Sequence, residues 1–123
     1  MSTIKTTTLS TLDGTATVPV NTVVNGSAKA WVNFNGTGTV AIRASFNVTS
    51  ITDNGTGDYT VNFTVAMVDA NYVVAGTCGG NSLGVSVSAP GNGLTQAAGS
   101  VRITTGTPSA AFDPSQVQLS IFR

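Results

Sequence analysis

The sequence contains no histidine and no glutamate. Their absence removes the commonest general base, the commonest zinc ligand and every Ser-His-Asp arrangement. The acidic residues are five aspartates: Asp13, Asp53, Asp58, Asp69 and Asp113. A single cysteine, Cys78, excludes an intrachain disulfide. Its setting, Gly-Thr-Cys-Gly-Gly, holds no cation to favour a thiolate, so it reads as a small loop side chain rather than a nucleophile. Charged residues make up 8% of the chain, against roughly 25% in an average soluble domain. The five basic residues, Lys5, Lys29, Arg43, Arg102 and Arg123, are scattered, and formal net charge is zero. With no basic patch to neutralise phosphates, no nucleic-acid partner is expected. No run is long and apolar enough to cross a bilayer, so no membrane insertion is expected. The first residues, Met-Ser-Thr-Ile-Lys-Thr-Thr-Thr, carry no apolar signal region, and Sec-type secretion is not expected.

What is present is threonine, serine, asparagine and glycine, which favour strands and turns over helices. Hydrophobic residues, at 41%, suffice for the core of one domain. The most informative stretch is residues 45–66. Tyr59, Val61, Phe63 and Val65 alternate with Thr60, Asn62 and Thr64, the signature of a strand with one apolar face. Before them, the turn from Asp53 to Asp58 carries Asn54-Gly55, which supplies the positive φ angles of a tight reversal. A β-hairpin is predicted. Phe46 and Val48 share a parity that Ile51 breaks, and a β-bulge near Thr49-Ser50 would return Ile51 to the core side.

Residues 1–26 differ from the rest: Thr-rich, broken by Asp13-Gly14, Pro19 and Asn25-Gly26, with no sustained alternation. They read as an extended arm with one or two short edge strands, a segment for attachment or assembly. Residues 27–123 form the domain proper. In 28–34, Ala30, Val32 and Phe34 share one face, and Lys29, Trp31 and Asn33 the other. A turn at 35–38 leads to Val40 and Ile42 in a second hairpin. Residues 67–71 make a short bend or a single helical turn, 72–76 a strand, 83–88 a strand around Val85 and Val87, 101–105 a strand, and 116–122 a strand with Val117, Leu119 and Ile121 on one face. The pattern predicts an all-β fold, an antiparallel β-sandwich or small barrel of about eight short strands, with no helix of useful length.

Asp53 and Asp58 flank one turn. A paired-carboxylate site would need them in a cleft with one holding a proton; at the shoulders of an exposed turn, capping is the expected role. A calcium site from Asp53, Asn54 and Asp58 lacks a recognised loop spacing. Gly36-Thr-Gly38 and Gly55-Thr-Gly57 are hairpin turns rather than phosphate loops, so no nucleotide or other cofactor is expected. Asn-X-Ser/Thr triplets at Asn25, Asn35, Asn47, Asn54 and Asn62 follow from turns that use Asn-Gly and strands that use Thr.

The strings Lys29-Ala-Trp-Val-Asn-Phe-Asn-Gly-Thr-Gly-Thr-Val-Ala-Ile-Arg43 and Ser45-Phe-Asn-Val-Thr-Ser-Ile-Thr-Asp-Asn-Gly-Thr-Gly-Asp-Tyr-Thr-Val-Asn-Phe63, followed by Met67 and Asp69-Ala-Asn-Tyr72, resemble a C-terminal module of tailed-bacteriophage and prophage tail fibres. The likeness is close over residues 27–74 and general elsewhere. It implies a β-rich, non-enzymatic virion component, a homotrimer that contacts the host surface. Family members often carry the module on a much longer chain, so a short fibre or tip-like subunit is implied, with capsid decoration or a head fibre as the alternative.

On this reading the partners are copies of itself, other tail or baseplate proteins, and a host-surface glycan or protein. Low charge and exposed strand edges would be relieved by neighbouring protomers. Trp31 and Tyr72 are the candidate subunit-interface residues; for Trp31, core or subunit contact is expected ahead of a ligand platform. The candidate receptor-facing loops are 76–82, 89–98 and 106–113. They offer Asn81, Asn92 and Gln96 as amides for sugar hydroxyls and Phe112 as an apolar contact.

Overall fold

The computed structural model describes residues 1–79, 84–86, 96–107 and 109–123. In chain order the elements are β1 (Thr8–Ser10), β2 (Thr17–Pro19), α1 (Val20–Gly26), β3 (Ala28–Asn35), β4 (Ala41–Phe46), β5 (Val48–Gly55), β6 (Asp58–Phe63), β7 (Val73–Cys78), β8 (Gly84–Ser86), β9 (Gln96–Ala97), β10 (Ser100–Thr107), β11 (Ala110–Ala111) and β12 (Val117–Phe122). Antiparallel pairing orders one sheet β4-β3-β12-β7. A second sheet runs β5-β6-β10, with β8, β9 and β11 each also pairing with β10. Among the described residues neither sheet closes on itself, so the fold is an all-β sandwich rather than a barrel.

Strict alternation on four strands builds the core. Ala30, Val32 and Phe34 of β3, Val117, Leu119 and Ile121 of β12, Tyr59, Val61 and Phe63 of β6, and Val101 and Ile103 of β10 all point between the sheets. Burying each large apolar side chain contributes about 1.5–3 kcal/mol, the dominant favourable term in a fold with few ion pairs. Two aromatic pairs cross the core edge-to-face: Phe34 with Tyr59 at 5.2 Å and Phe63 with Tyr72 at 5.8 Å.

The hairpin β5–β6 has the predicted bulge, with the register shifting between Val48 and Ser50 and Ile51 turned toward the core. Phe46 departs from expectation. Its parity with Val48 suggested a core position, yet it is 55% exposed. The cause is Asn47, the one non-glycine described residue with positive φ (55°), a conformation asparagine tolerates better than most. There the chain leaves one sheet for the other, so Phe46 ends β4 facing outward while Val48 opens β5 facing inward. Asn47 also stitches the crossing: its amide donates to the carbonyls of Lys29 and Val65, both at 3.1 Å, and its Oδ1 accepts the Val65 N–H at 2.8 Å. Val65, expected on the apolar face, lies beyond the end of β6 and is exposed.

The arm is more structured than its sequence suggests. β1 pairs with β2, and Pro19 then caps a two-turn helix, α1, which ends at the Asn25-Gly26 breaker. Fixed φ at proline suits a helix start. No arm residue joins the core, and no residue of α1 is buried.

Candidate functional site

The arm enters the sandwich at Ala28, where β3 begins. β3 then runs eight residues to Asn35, roughly 26 Å at 3.3 Å per residue. At its far end three turns converge. The Gly36 N–H donates to the Pro114 carbonyl at 2.9 Å, and Thr37 Oγ1 donates to the Asp113 carbonyl at 3.1 Å. The β5–β6 turn joins them through Gly57, whose N–H donates to Asp113 Oδ1 at 2.7 Å. Tyr59 locks the junction from inside: its fully buried ring sends the hydroxyl to Asp113 Oδ1 at 2.7 Å and to the Gly36 carbonyl at 3.2 Å. Burial, and then the Asp113 carboxylate, push the Tyr59 hydroxyl pKa far above its ordinary value of 10.

Asp58 and Arg102 form a bidentate pair beside this junction, Nε to Oδ1 at 2.7 Å and Nη2 to Oδ2 at 2.5 Å. That hydrogen bonding holds the Asp58 carboxyl below its usual pKa. Asp53 instead caps its own turn, accepting the Gly55 N–H at 2.9 Å. The two shoulder carboxylates therefore have separate structural partners. Among the described residues no three His, Cys, Asp or Glu side chains converge as a metal site would require.

Phe112 lies at this far pole. Its N–H donates to the Thr105 carbonyl at 3.2 Å, and its carbonyl accepts the Thr105 hydroxyl at 2.7 Å. The backbone is clamped while the residue stays 38% exposed. Gln96 is elsewhere. It sits at the arm end, beside the turn whose Ala98 carbonyl accepts the Met67 N–H, and its Nε2 donates to the Tyr72 carbonyl at 2.8 Å. The amide expected to meet a sugar is thus engaged within its own chain, because β9 folds back on β10 beside Tyr72. Asn81 and Asn92 lie outside the described residues.

Of the two interface candidates, Trp31 is 39% exposed, and Tyr72 is buried at 5% exposure. Tyr72 meets Phe63 edge-to-face, and its hydroxyl donates to the carbonyls of Ala97 and Ser100 at 3.0 and 2.8 Å. Burial raises its pKa to about 12. Its ring serves its own core rather than a neighbour.

The two outer faces of the sandwich are chemically different. On the six-stranded sheet, polar side chains satisfy one another: Asn62 donates to Ser50 and Thr52, Thr49 to Thr64, and Asn54 to Thr60. On the four-stranded sheet, Trp31 lies directly across from Phe46, with Phe122 and Val73 in the next cross-strand row. Beside them is an open trough of about 510 Å³, lined by Trp31, Asn33, Ala44, Ala75, Thr77 and Gln118 among others. Asn33 Oδ1 is buried there without a hydrogen-bond partner. Sequence reasoning singled out Trp31 but not this face. The available signal was parity, since Gln118, Ser120 and Phe122 take the outward positions between Val117, Leu119 and Ile121. No protein-family model, no curated protein and no solved structure matches this chain.

Proposed function

We propose that this chain is a non-enzymatic subunit of a tailed-bacteriophage tail fibre or baseplate-associated structure, a homotrimer that mediates attachment to a host-surface glycan or protein. The observation that carries the reading is the polarity of the molecule. At one end is an arm with no core of its own; some 26 Å away is a pole of hydrogen-bonded turns presenting a clamped, exposed aromatic ring. A particle component held at one end and offering the other needs that layout. The likeness of residues 29–72 to fibre modules directs it to a phage particle, and a low charge content with zero formal net charge favours assembly over free solution. In this reading the receptor meets the far pole, around Phe112 and the turns at 36–40 and 55–57, rather than Gln96.

The test is electron microscopy of particles carrying a tag on this subunit. Label at the tail end is expected. Label over the shell would instead favour capsid decoration, and absence from purified particles would refute the reading. Given tail label, Phe112→Ala is expected to slow host adsorption without altering subunit incorporation.

A further inference from the structure

The chain carries two apolar surfaces that no described residue covers. One is the trough on the four-stranded sheet, flanked by Trp31, Phe46 and Val73. The other is the arm. Leu9 and Val18 face each other across the β1–β2 pair, and Val20, Val23 and Val24 recur at helical spacing on α1. An isolated two-stranded hairpin is marginal in water, and so is a seven-residue helix. The arm's folded form therefore calls for a surface to lie against. Its own trough does not supply one, since no arm residue lines it. α1 ends one residue before β3 starts, and the Lys29 ammonium donates to the Val24 carbonyl, keeping the helix at the entry to the sheet.

We propose that the arm of one copy docks in the trough of a second copy of this chain. The chemistry of the surfaces selects this occupant. The trough lining holds no charged side chain, and the arm's apolar ridge of Leu9, Val18, Val20, Val23 and Val24 holds none either. A nucleic acid or a charged partner would find nothing to pair with. The β5–β6 part of the opposite outer face is less suited to such docking, because its Asn, Thr and Ser side chains already satisfy one another. Threonine hydroxyls are abundant in the arm, and one of them would supply the donor that buried Asn33 Oδ1 lacks. The exchange of an identical element between protomers also leaves each body's fold intact. The inference deepens the self-association part of the proposed function and rests on that part alone.

Trp31, the single tryptophan, reports directly on the trough. The experiment uses the full chain, with sedimentation equilibrium and Trp31 emission measured over a dilution series. The variants are Leu9→Asp with Val24→Asp in the arm, and Ala75→Arg in the trough. All three sites are exposed, so the core is untouched, and circular dichroism confirms the fold. The wild type is expected to self-associate, with Trp31 emission moving to the red on dilution. Both variants are expected to weaken association by at least about tenfold and to show red-shifted Trp31 at every concentration. A wild type that is monomeric throughout overturns the proposal. So does an arm variant that assembles normally, or one that dissociates while Trp31 emission stays unchanged. Particle labelling that fails while these results hold would remove the viral reading and leave the arm exchange standing.

Discussion

Tyr59→Phe isolates the lock at the far pole. The change keeps the buried ring and its edge-to-face contact with Phe34 and deletes one hydroxyl. That hydroxyl donates to Asp113 Oδ1 at 2.7 Å, a hydrogen bond to a carboxylate, of a kind worth about 1.5–3 kcal/mol. The lower end applies, because Asp113 is exposed, can recruit water, and retains the Gly57 N–H. The buried Gly36 carbonyl loses a partner as well. A loss of about 1.5 kcal/mol is expected, equivalent to a melting temperature lower by roughly 4–8 °C for a chain of this size. In urea the midpoint should fall while the slope stays constant, since the exposed area on unfolding is unchanged.

The same variant has an alkaline signature. Tyr59 and Tyr72 are the two tyrosines, and both are held protonated above the ordinary value of 10. The folded chain therefore binds more protons than the unfolded chain above that pH. Their contribution is complete below pH 10 and is lost as pH rises toward the folded-state values. Each tyrosine contributes a slope of up to about 1.4 kcal/mol per pH unit in that window. Tyr59→Phe should remove one of the two slopes, and tyrosinate absorbance in the wild type should rise together with unfolding. The reasoning fails if the variant stays within about 0.5 kcal/mol of wild type at neutral pH, or if half the tyrosine absorbance titrates near pH 10 in a folded wild-type chain.

Asp58→Asn should lower the urea midpoint at neutral pH by breaking the bidentate pair with Arg102. Because the pairing holds the Asp58 carboxyl below its usual 3.8, its contribution is present above that value and lost as pH falls through the folded-state value. The variant's stability should consequently decline less steeply in acid than the wild type's, as followed by circular dichroism. Gly57→Ala and Gly38→Ala separate conformational strain from collision. Both glycines have φ of +65°, but a Cβ at Gly38 meets nothing within 4 Å, while one at Gly57 comes within 2.5 Å of the Thr105 carbonyl oxygen. Gly38→Ala should cost about 1 kcal/mol; Gly57→Ala should cost at least about 1–3 kcal/mol more by thermal melting, and equal losses would contradict the packing at the pole.

Much of the fold was legible because its signals are local. Alternation in residues 28–34, 59–63 and 117–121 requires only that one face be dry, and those residues are the core. Ile51's parity demanded a bulge, and the register shift is where that parity placed it. The Asn35-Gly36 and Asn54-Gly55 dipeptides marked the neighbourhood of two reversals, but the positive φ angles fall at Gly38, Gly55 and Gly57 rather than at Asn35, Gly36 or Asn54, and Asn54-Gly55 ends β5 just before the turn. The outward position of Phe46 was not legible, because it depends on one positive φ at Asn47 and on which sheet each flanking strand joins. Nor was Tyr59's role at the pole, since its acceptor lies 54 residues away.

By itself, then, the sequence determined the class of fold, the alternating core positions of β3, β6 and β12, roughly where the chain turns, and that the surface would carry little charge. Side-chain alternation and turn chemistry act over a few residues, so they survive without coordinates. Only the tertiary structure decided which loops share a pole, that Gln96 and Tyr72 face inward at the arm end, and that one outer sheet face is self-satisfied while the other is open. Those outcomes depend on strand order and on contacts between distant segments, which no short-range pattern in a chain encodes.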